Sequence, residues 1–110
     1  MKKLFLIGLI LSAMTVKGQI YAGGKEIKDA YYVEVTYMHL SGQARIDYGQ
    51  GKNNGEKITD NNGKTKKFNS RAAMLNMMHN EGYEMVQMVT LKMSGSDIDG
   101  YIYTFKKITQ

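Results

Sequence analysis

The segment NSRAAMLNMMHNEGYEMVQMVTLK, residues 69–92, carries the clearest secondary-structure signals in the chain. Asn69 or Ser70 is a suitable N-cap, because its side-chain oxygen can accept a hydrogen bond from an unpaired N–H group at the helix start. Ala, Met and Leu favour helix in the turns that follow. Gly82 fits the position just after the last turn, where a positive φ costs glycine little. The segment predicts one helix over about 70–81, followed directly by a strand.

Outside this segment, apolar and polar residues alternate in several short runs, as in strands with one buried face. The alternation runs through 30–40, resumes at 44–48 after a Ser-Gly turn, and returns at 101–106. The Asn-Asn-Gly sequence at 61–63 is typical of a tight hairpin. These signals together predict the α+β class: an antiparallel sheet of about five to six strands with the helix packed on one face.

Residues 1–18 have the features of a secretory signal peptide. Two lysines near the start precede an uncharged, mostly apolar run over 4–16, which is shorter than the roughly 20 residues of a membrane-spanning helix. Small and aliphatic residues before the cleavage site place the cut after Gly18, with a cut after Ala22 as the alternative. Residues 19–110 then form a single domain, exported to the periplasm or the medium, without a stable membrane anchor.

The net charge gives no reason to expect binding to nucleic acid. The chain has 15 Lys and Arg and 10 Asp and Glu, a formal charge of +5. Three lysines belong to the predicted signal peptide, which leaves 15 − 3 = 12 basic residues against 10 acidic ones, a net +2. This surplus is too small to favour nucleic acid or an anionic membrane. Lys64, Lys66 and Lys67 lie beside the predicted hairpin, either as a charged edge that discourages strand pairing or as a contact for phosphate or an acidic partner.

Four short motifs follow one another over residues 68–107. They are Phe-Asn-Ser at 68–70, Leu-Asn-x-Met at 75–78, Gly-Tyr-Glu-Met-Val at 82–86 and Tyr-x-Phe-Lys-Lys at 103–107. Their order resembles small bacterial domains of unknown function with a Leu-Asn, Gly-Trp-Glu-Leu-Val, Leu-Lys-Arg pattern, and exported members of that family in particular. Tyr83 stands where Trp is usual. The resemblance implies a helix on a small antiparallel sheet, and it supplies no catalytic residues.

The sequence contains no recognised catalytic motif. It has no Gly-x-Ser-x-Gly, no His-Glu-x-x-His and no phosphate-binding loop. It also has no Cys, which excludes disulfides and thiol chemistry. His39 and His79 are the side chains expected to titrate near neutral pH. A small domain with one helix has little room for a pocket, so we expect a protein that is not an enzyme and needs no cofactor.

Methionine is unusually frequent, at nine residues. Met38-His39 and Met77-Met78-His79 place thioethers beside imidazoles, and soft sulfur ligands favour Cu(I). A metal site needs several converging ligands, however, and adjacent residues on a helix point about 100° apart. Methionine also fills irregular gaps in small cores. A small-ligand or soft-metal protein that uses these five residues is the alternative prediction.

Apolar residues occur on both faces of several predicted strands. In the strand after the helix, simple alternation puts Met85, Val89 and Leu91 on one face. Val86 and Met88 then point to the opposite face. Because one short helix covers only part of the sheet, we expect an uncovered face on which Tyr and Met form a contact surface.

The leading prediction is therefore a non-catalytic exported protein that acts by binding, either to an envelope protein or to itself as a homodimer. The candidate interface residues on the uncovered face are Tyr32, Met38, Val86, Met88 and Ile102. The alternative is that the N-terminal segment or the loops fold over this face.

Export can be tested by expressing the full 110-residue chain in a bacterial host with a C-terminal tag. We expect the tagged product outside the cytoplasm with Gln19 as its first residue, because cleavage after Gly18 removes the apolar run. Intact-mass spectrometry identifies the first residue. A Leu9→Arg variant, which interrupts the apolar run, is the control and should stay in the cytoplasm. Recovery of the unmodified chain in the cytoplasm, uncleaved at Met1, would contradict the prediction.

Overall fold

The computed structural model describes residues 19–51, 55–92 and 98–108. In these residues seven strands and one helix follow one another as β1 (Tyr21–Ala22), β2 (Lys25–Glu26), β3 (Tyr32–Met38), β4 (Ala44–Asp47), β5 (Glu56–Thr59), α1 (Arg71–Asn80), β6 (Tyr83–Leu91) and β7 (Gly100–Lys107). The strands form one sheet in the order β2-β1-β5-β4-β3-β7-β6, and neighbouring strands are antiparallel. The predicted signal peptide, residues 1–18, lies outside the described residues.

The α+β class, the antiparallel sheet and the single described helix are confirmed, but the strand number of five to six was too low. The two additional strands are β1 and β2, each only two residues long. A two-residue strand is too short to show the alternation from which strands are predicted. Pairing with β5 gives β1 its extended form, so tertiary contacts rather than local sequence determine this part of the sheet.

The helix begins and ends at the predicted residues. The backbone N–H of Ala73 donates to Ser70 Oγ at 3.1 Å, which makes Ser70 the N-cap. Gly82, with φ at 92°, donates its N–H to the His79 carbonyl and ends the helix. Met74 and Met78 face the sheet and are fully buried. Among the described residues, no helix combines the length and the hydropathy that crossing a bilayer requires.

The core lies between α1 and one face of the sheet. The odd-numbered residues of β3 point into it, and the even-numbered residues point to the opposite face, called here the outer face. The buried apolar residues are Ile20, Ala22, Ile27, Ala30, Val33, Val35, Tyr37, Ala44, Ile46, Ile58, Met74, Met78, Tyr83, Tyr103 and Phe105. Each large side chain in this set stabilises the fold by about 1.5–3 kcal/mol through its removal from water.

The N-terminal segment packs on the helix side of the sheet. Ile20, Ile27 and Ala30 are buried in the same cluster as the helix methionines. The Tyr83 hydroxyl donates a 2.8 Å hydrogen bond to the Ala30 carbonyl, and burial raises the pKa of Tyr83. The alternative in which this segment folds over the outer face is therefore wrong for residues 19–30, because its apolar residues are needed to complete the core.

The hairpin at 61–63 forms its turn as predicted. Asp60 Oδ1 accepts hydrogen bonds from the backbone N–H groups of Asn62 and Lys64, each at 2.9 Å. The bond from Lys64 contributes most to lowering the pKa of the Asp60 carboxyl. After the turn, isolated bridges pair Thr65 with Thr59 and Lys67 with Gln43, so no continuous strand forms there.

A β-bulge in β6 changes the direction of the side chains that follow it. Met85 pairs with Phe105, but the next partner, Thr104, pairs with Gln87, so Val86 is an extra residue. Directly paired residues in antiparallel strands lie on the same face. The residues after the bulge therefore point opposite to the direction that simple alternation predicts, because one inserted residue shifts the period of two by one.

The predicted faces of β6 were wrong for this reason. Met88 pairs with Tyr103 and lies on the helix side with Met85. Val89 pairs with Ile102, and Leu91 pairs with Gly100, so both lie on the outer face. The prediction had placed Val89 and Leu91 with Met85, and Met88 opposite to them.

Alanine substitutions at Gly55 and Gly49 should separate the cost of a positive φ from the cost of a steric clash in the segment before β5. Both glycines have positive φ, 69° and 98°, but a Cβ at Gly55 would lie 2.6 Å from the Ile46 carbonyl oxygen, whereas nothing lies within 4 Å of one at Gly49. We expect Gly49→Ala to lower the free energy of unfolding by about 1–2 kcal/mol. Gly55→Ala should cost about 1–3 kcal/mol more, because the backbone of β4 must move.

Chemical denaturation of the two variants and the wild type measures this difference. An equal loss of unfolding free energy at the two positions would contradict the close approach of Gly55 to the Ile46 carbonyl of β4.

Candidate functional site

β6 is an edge strand with an unpaired side. It pairs with β7 only, and among the described residues no strand pairs with its other side. The opposite edge of the sheet is the two-residue strand β2, whereas β6 has nine residues. A long edge presents a row of backbone N–H and C=O groups that can pair with another extended chain.

The side chains of β6 are exposed along most of its length. Seven consecutive residues, Glu84 to Thr90, are exposed to solvent. Among them are four large apolar side chains, whose exposed fractions are 53% for Met85, 53% for Val86, 41% for Met88 and 44% for Val89. Single exposed apolar residues are common on protein surfaces, but a contiguous group of this kind marks a contact site or an aggregation risk.

The limited length of the helix explains the exposure on the helix side. Ten residues of helix span about 15 Å, whereas nine residues of strand span about 30 Å. The Arg71 guanidinium carbon lies 4.0 Å from the centre of the Tyr101 ring, which fixes the start of the helix beside this residue of β7. Met85 and Met88 therefore flank buried residues of β7 but are left at the border of the core.

On the outer face, an apolar patch crosses three strands. Its residues, called here the outer patch, are Met38, Val89, Leu91 and Ile102. Val89 and Ile102 are direct cross-strand partners, and Met38 and Leu91 lie on either side of Gly100. A Cβ at Gly100 would collide with the Tyr37 carbonyl oxygen, so residue 100 itself brings no side chain between them. The outer patch is continuous with the exposed edge through Val89 and Leu91.

Polar residues surround the outer patch. They are Glu34, Thr36, Arg45, Asp47, Lys57, Glu84, Gln87, Thr104 and Lys106, as the strand register requires. Lys106 Nζ lies 3.3 Å from Glu84 Oε1, and both side chains are substantially exposed, so this ion pair is screened by solvent. Met38, Val89, Leu91 and Ile102 are thus grouped at one end of the outer face, next to the β6 edge.

The five predicted interface residues do not form one surface. Met38 and Ile102 lie together on the outer face. Tyr32 lies on the same face, but it is six residues along β3 from Met38, roughly 20 Å away. Val86 is the extra residue of the bulge, and Met88 points to the helix side.

Three residues that belong to the exposed surface were absent from the predicted interface: Met85, Val89 and Leu91. The bulge that turns Val89 and Leu91 to the outer face leaves no glycine or other marker in the sequence. The sequence does show that residues 85–91 contain no charge and no proline. Such a run can indicate an edge strand without protection against pairing.

The structure does not bring the candidate metal ligands together. Met38 and His39 lie at the end of β3 beside Gly100, whereas His79 lies near Gly82, at the opposite end of β7. The two groups are separated by roughly 25 Å, the length of β7. Met78 is fully buried in the core, and Met77 Sδ lies 4.0 Å from Lys66 Nζ. Among the described residues, no three His, Asp or Glu side chains are grouped as metal ligands.

An open depression beside α1 also lacks the arrangement of a catalytic site. It is lined by Ala73, Asn76, Met77, Asn80 and Glu81. These side chains do not pair a nucleophile with a base, which acyl or glycosyl transfer by covalent catalysis requires. The unpaired β6 edge and its apolar side chains are the more distinctive feature of the described surface.

The methionines provide an internal test of this surface. On treatment with dilute peroxide, we expect Met85 and Met88 to become sulfoxides well before Met74 and Met78, because the first two are exposed and the last two are fully buried. Peptide mass spectrometry at several time points measures each rate within one sample. Similar rates for all four residues would mean that β6 is covered or that the helix does not stay packed.

Comparison of the chain with models of known protein families, with curated proteins and with solved structures finds no match. The resemblance of residues 68–107 to small bacterial domains of unknown function stays a prediction. The geometry of β6 and its neighbours is then the basis for a functional proposal.

Proposed function

We propose that this is an exported, non-catalytic binding protein that holds a protein partner along the β6 edge. The observation that carries the proposal is a nine-residue edge strand with four exposed large apolar side chains and one unpaired backbone side. In this mode of recognition, backbone hydrogen bonds to an added strand provide affinity, and alternate side chains provide specificity.

The absence of protective features on this strand supports a binding role. Natural sheets discourage accidental edge pairing with charged residues, prolines or very short edge strands. From Met85 to Leu91 the sequence contains no charged residue and no proline. The bulge at Val86 interrupts only the first part of the strand, which leaves a regular, uncharged segment over 87–91 for a partner.

The outer patch supports the same proposal. A strand added beside β6 would bring its own side chains next to Val89 and Leu91, on the face that also carries Ile102 and Met38. The partner would therefore bury apolar surface in addition to forming backbone hydrogen bonds, and burial contributes about 25 cal/mol per Å².

Two features of the N-terminal segment support export with a cut after Gly18. Ile20 and Ala22 are 4% and 1% exposed, so a cut after Ala22 would remove two core residues together with β1. The Gln19 backbone nitrogen lies 3.2 Å from Glu81 Oε1. Cleavage after Gly18 would convert this nitrogen into an ammonium group, and a hydrogen bond between ions is stronger than one from a neutral amide.

A photo-crosslinking amino acid at Val89 tests the proposal in the native host. We expect a discrete crosslinked product from position 89 and none from the control position Asn62, which is exposed on the hairpin turn far from β6. A folded protein that forms no product at 89 would contradict the proposed function.

A second variant pair tests whether the contact depends on the apolar edge. Val89→Lys should reduce the yield of complex by about tenfold or more, because a charge at the centre of an interface must be desolvated. Asn62→Lys should leave the yield unchanged. Co-purification through a C-terminal tag on the full chain measures both yields, and equal yields from the two variants would contradict binding at β6.

A further inference from the structure

We infer that the partner on the β6 edge is the β6 edge of a second copy of this chain, in antiparallel orientation. This inference rests on the proposed function, and it adds the identity and the orientation of the partner. It follows from the distribution of charge, from the direction of the side chains and from the extent of the apolar surface.

The charges at the two ends of the edge complement one another. Glu84 lies at the start of β6 and Lys92 directly after its end, and both are exposed. No charged residue lies between them. Two antiparallel copies would place Glu84 of each chain near Lys92 of the other. A parallel arrangement would instead place like charges side by side, and so the charges favour antiparallel self-pairing.

The same end-to-end arrangement selects a register centred on Met88. The residues Glu84 and Lys92 are four positions before and four positions after Met88. In this register Met88 lies opposite its own copy, and Gln87 lies opposite Val89. The bulge at Val86 shifts the outer pair by one residue, so Glu84 lies opposite Leu91 of the other copy, and the backbone of Lys92 follows directly after it.

The direction of the side chains is compatible with this register over residues 87–89. A two-fold axis perpendicular to the sheet keeps each face on the same side, so paired residues must belong to one face. Gln87 pairs with Thr104 and Val89 with Ile102, which puts both on the outer face. Met88, opposite itself, lies on the helix side. The two seven-stranded sheets would then form one continuous sheet.

The apolar surface of the two copies would also become continuous. Val89 and Leu91 connect each outer patch to the edge, so the two outer patches would meet across the axis. On the other face, Met85 and Met88 of each copy would approach those of its partner. The contact is limited to one strand and its flanking side chains, which corresponds to a small interface, and we expect a dimer that dissociates on dilution.

Charge exchange provides the test, on protein expressed from the full 110-residue chain. Glu84→Lys and Lys92→Glu each replace two attractive contacts in the dimer by two repulsive ones. Each variant alone should dimerise about tenfold more weakly than the wild type. An exposed ion pair contributes little by itself, but each variant loses two attractions and gains two repulsions. An equimolar mixture of the two variants should recover the wild-type affinity as a heterodimer. The double variant should also recover it as a homodimer. In a parallel pair, by contrast, each single variant would dimerise as the wild type does, and the mixture would bind more tightly than the wild type.

Sedimentation velocity over a range of concentrations measures these affinities, and thermal unfolding of each variant shows whether it is folded. The mixture serves as the control for folding, because damage to the monomer cannot be repaired by a second damaged chain. Hydrogen exchange of β6 amides at high and low protein concentration locates the contact, and we expect slower exchange at high concentration.

Three results would overturn the inference: a wild-type protein that is monomeric at every concentration, a mixture that dimerises no better than its components, or a dimer that Val89→Lys leaves intact. A monomer that still crosslinks from position 89 to a different protein would overturn self-pairing and leave the proposed function standing. A monomer without any crosslinked product would contradict both.

Discussion

The whole structure depends on the burial of Met74 and Met78 against a sheet that is wider than the helix. Both side chains are fully buried, and they hold a ten-residue helix against one face of the sheet. Arg71 on the Tyr101 ring fixes the position of the helix at its start. The N-terminal segment then fills the space that the helix leaves beyond it, through Ile20, Ile27 and Ala30. Beyond Tyr83, which bonds to Ala30, no described segment covers β6, so the apolar residues in the rest of the strand stay exposed.

The bulge in β6 then determines which residues share a surface. Without the extra residue Val86, the two methionines of this strand would lie on opposite faces. With it, Met85 and Met88 both lie at the border of the core, and Val89 and Leu91 join Met38 and Ile102 on the outer face. The edge therefore has apolar side chains on both of its faces. An edge of this kind can contribute to an interface through its backbone and through both rows of side chains at the same time.

The parts of the fold that could be predicted from the sequence are those with local signals. Ser70 and Gly82 mark the helix ends through capping, which involves only neighbouring residues. The alternation in β3, β4 and β7 shows one buried face. Strands β1 and β2 could not be predicted, because two residues show no period. The faces of β6 were predicted wrongly, because a bulge without glycine leaves no trace. Met38 and Ile102 were correctly assigned to one face. The distance between the two Met-His groups depends on the order of strands in the sheet, so it could not be predicted from their spacing in the sequence.

The position of β7 has a consequence for the order in which the fold can form. β7 is the last strand of the chain, yet it lies between β3 and β6, and Phe105 pairs with Val33 near the start of the domain. One side of β3 therefore stays unpaired until almost the entire chain is available. Contacts between residues so far apart in sequence form slowly, because a long loop must close first. The sheet can therefore be completed only after β7 has been made, so its inner edge at β3 stays open until then.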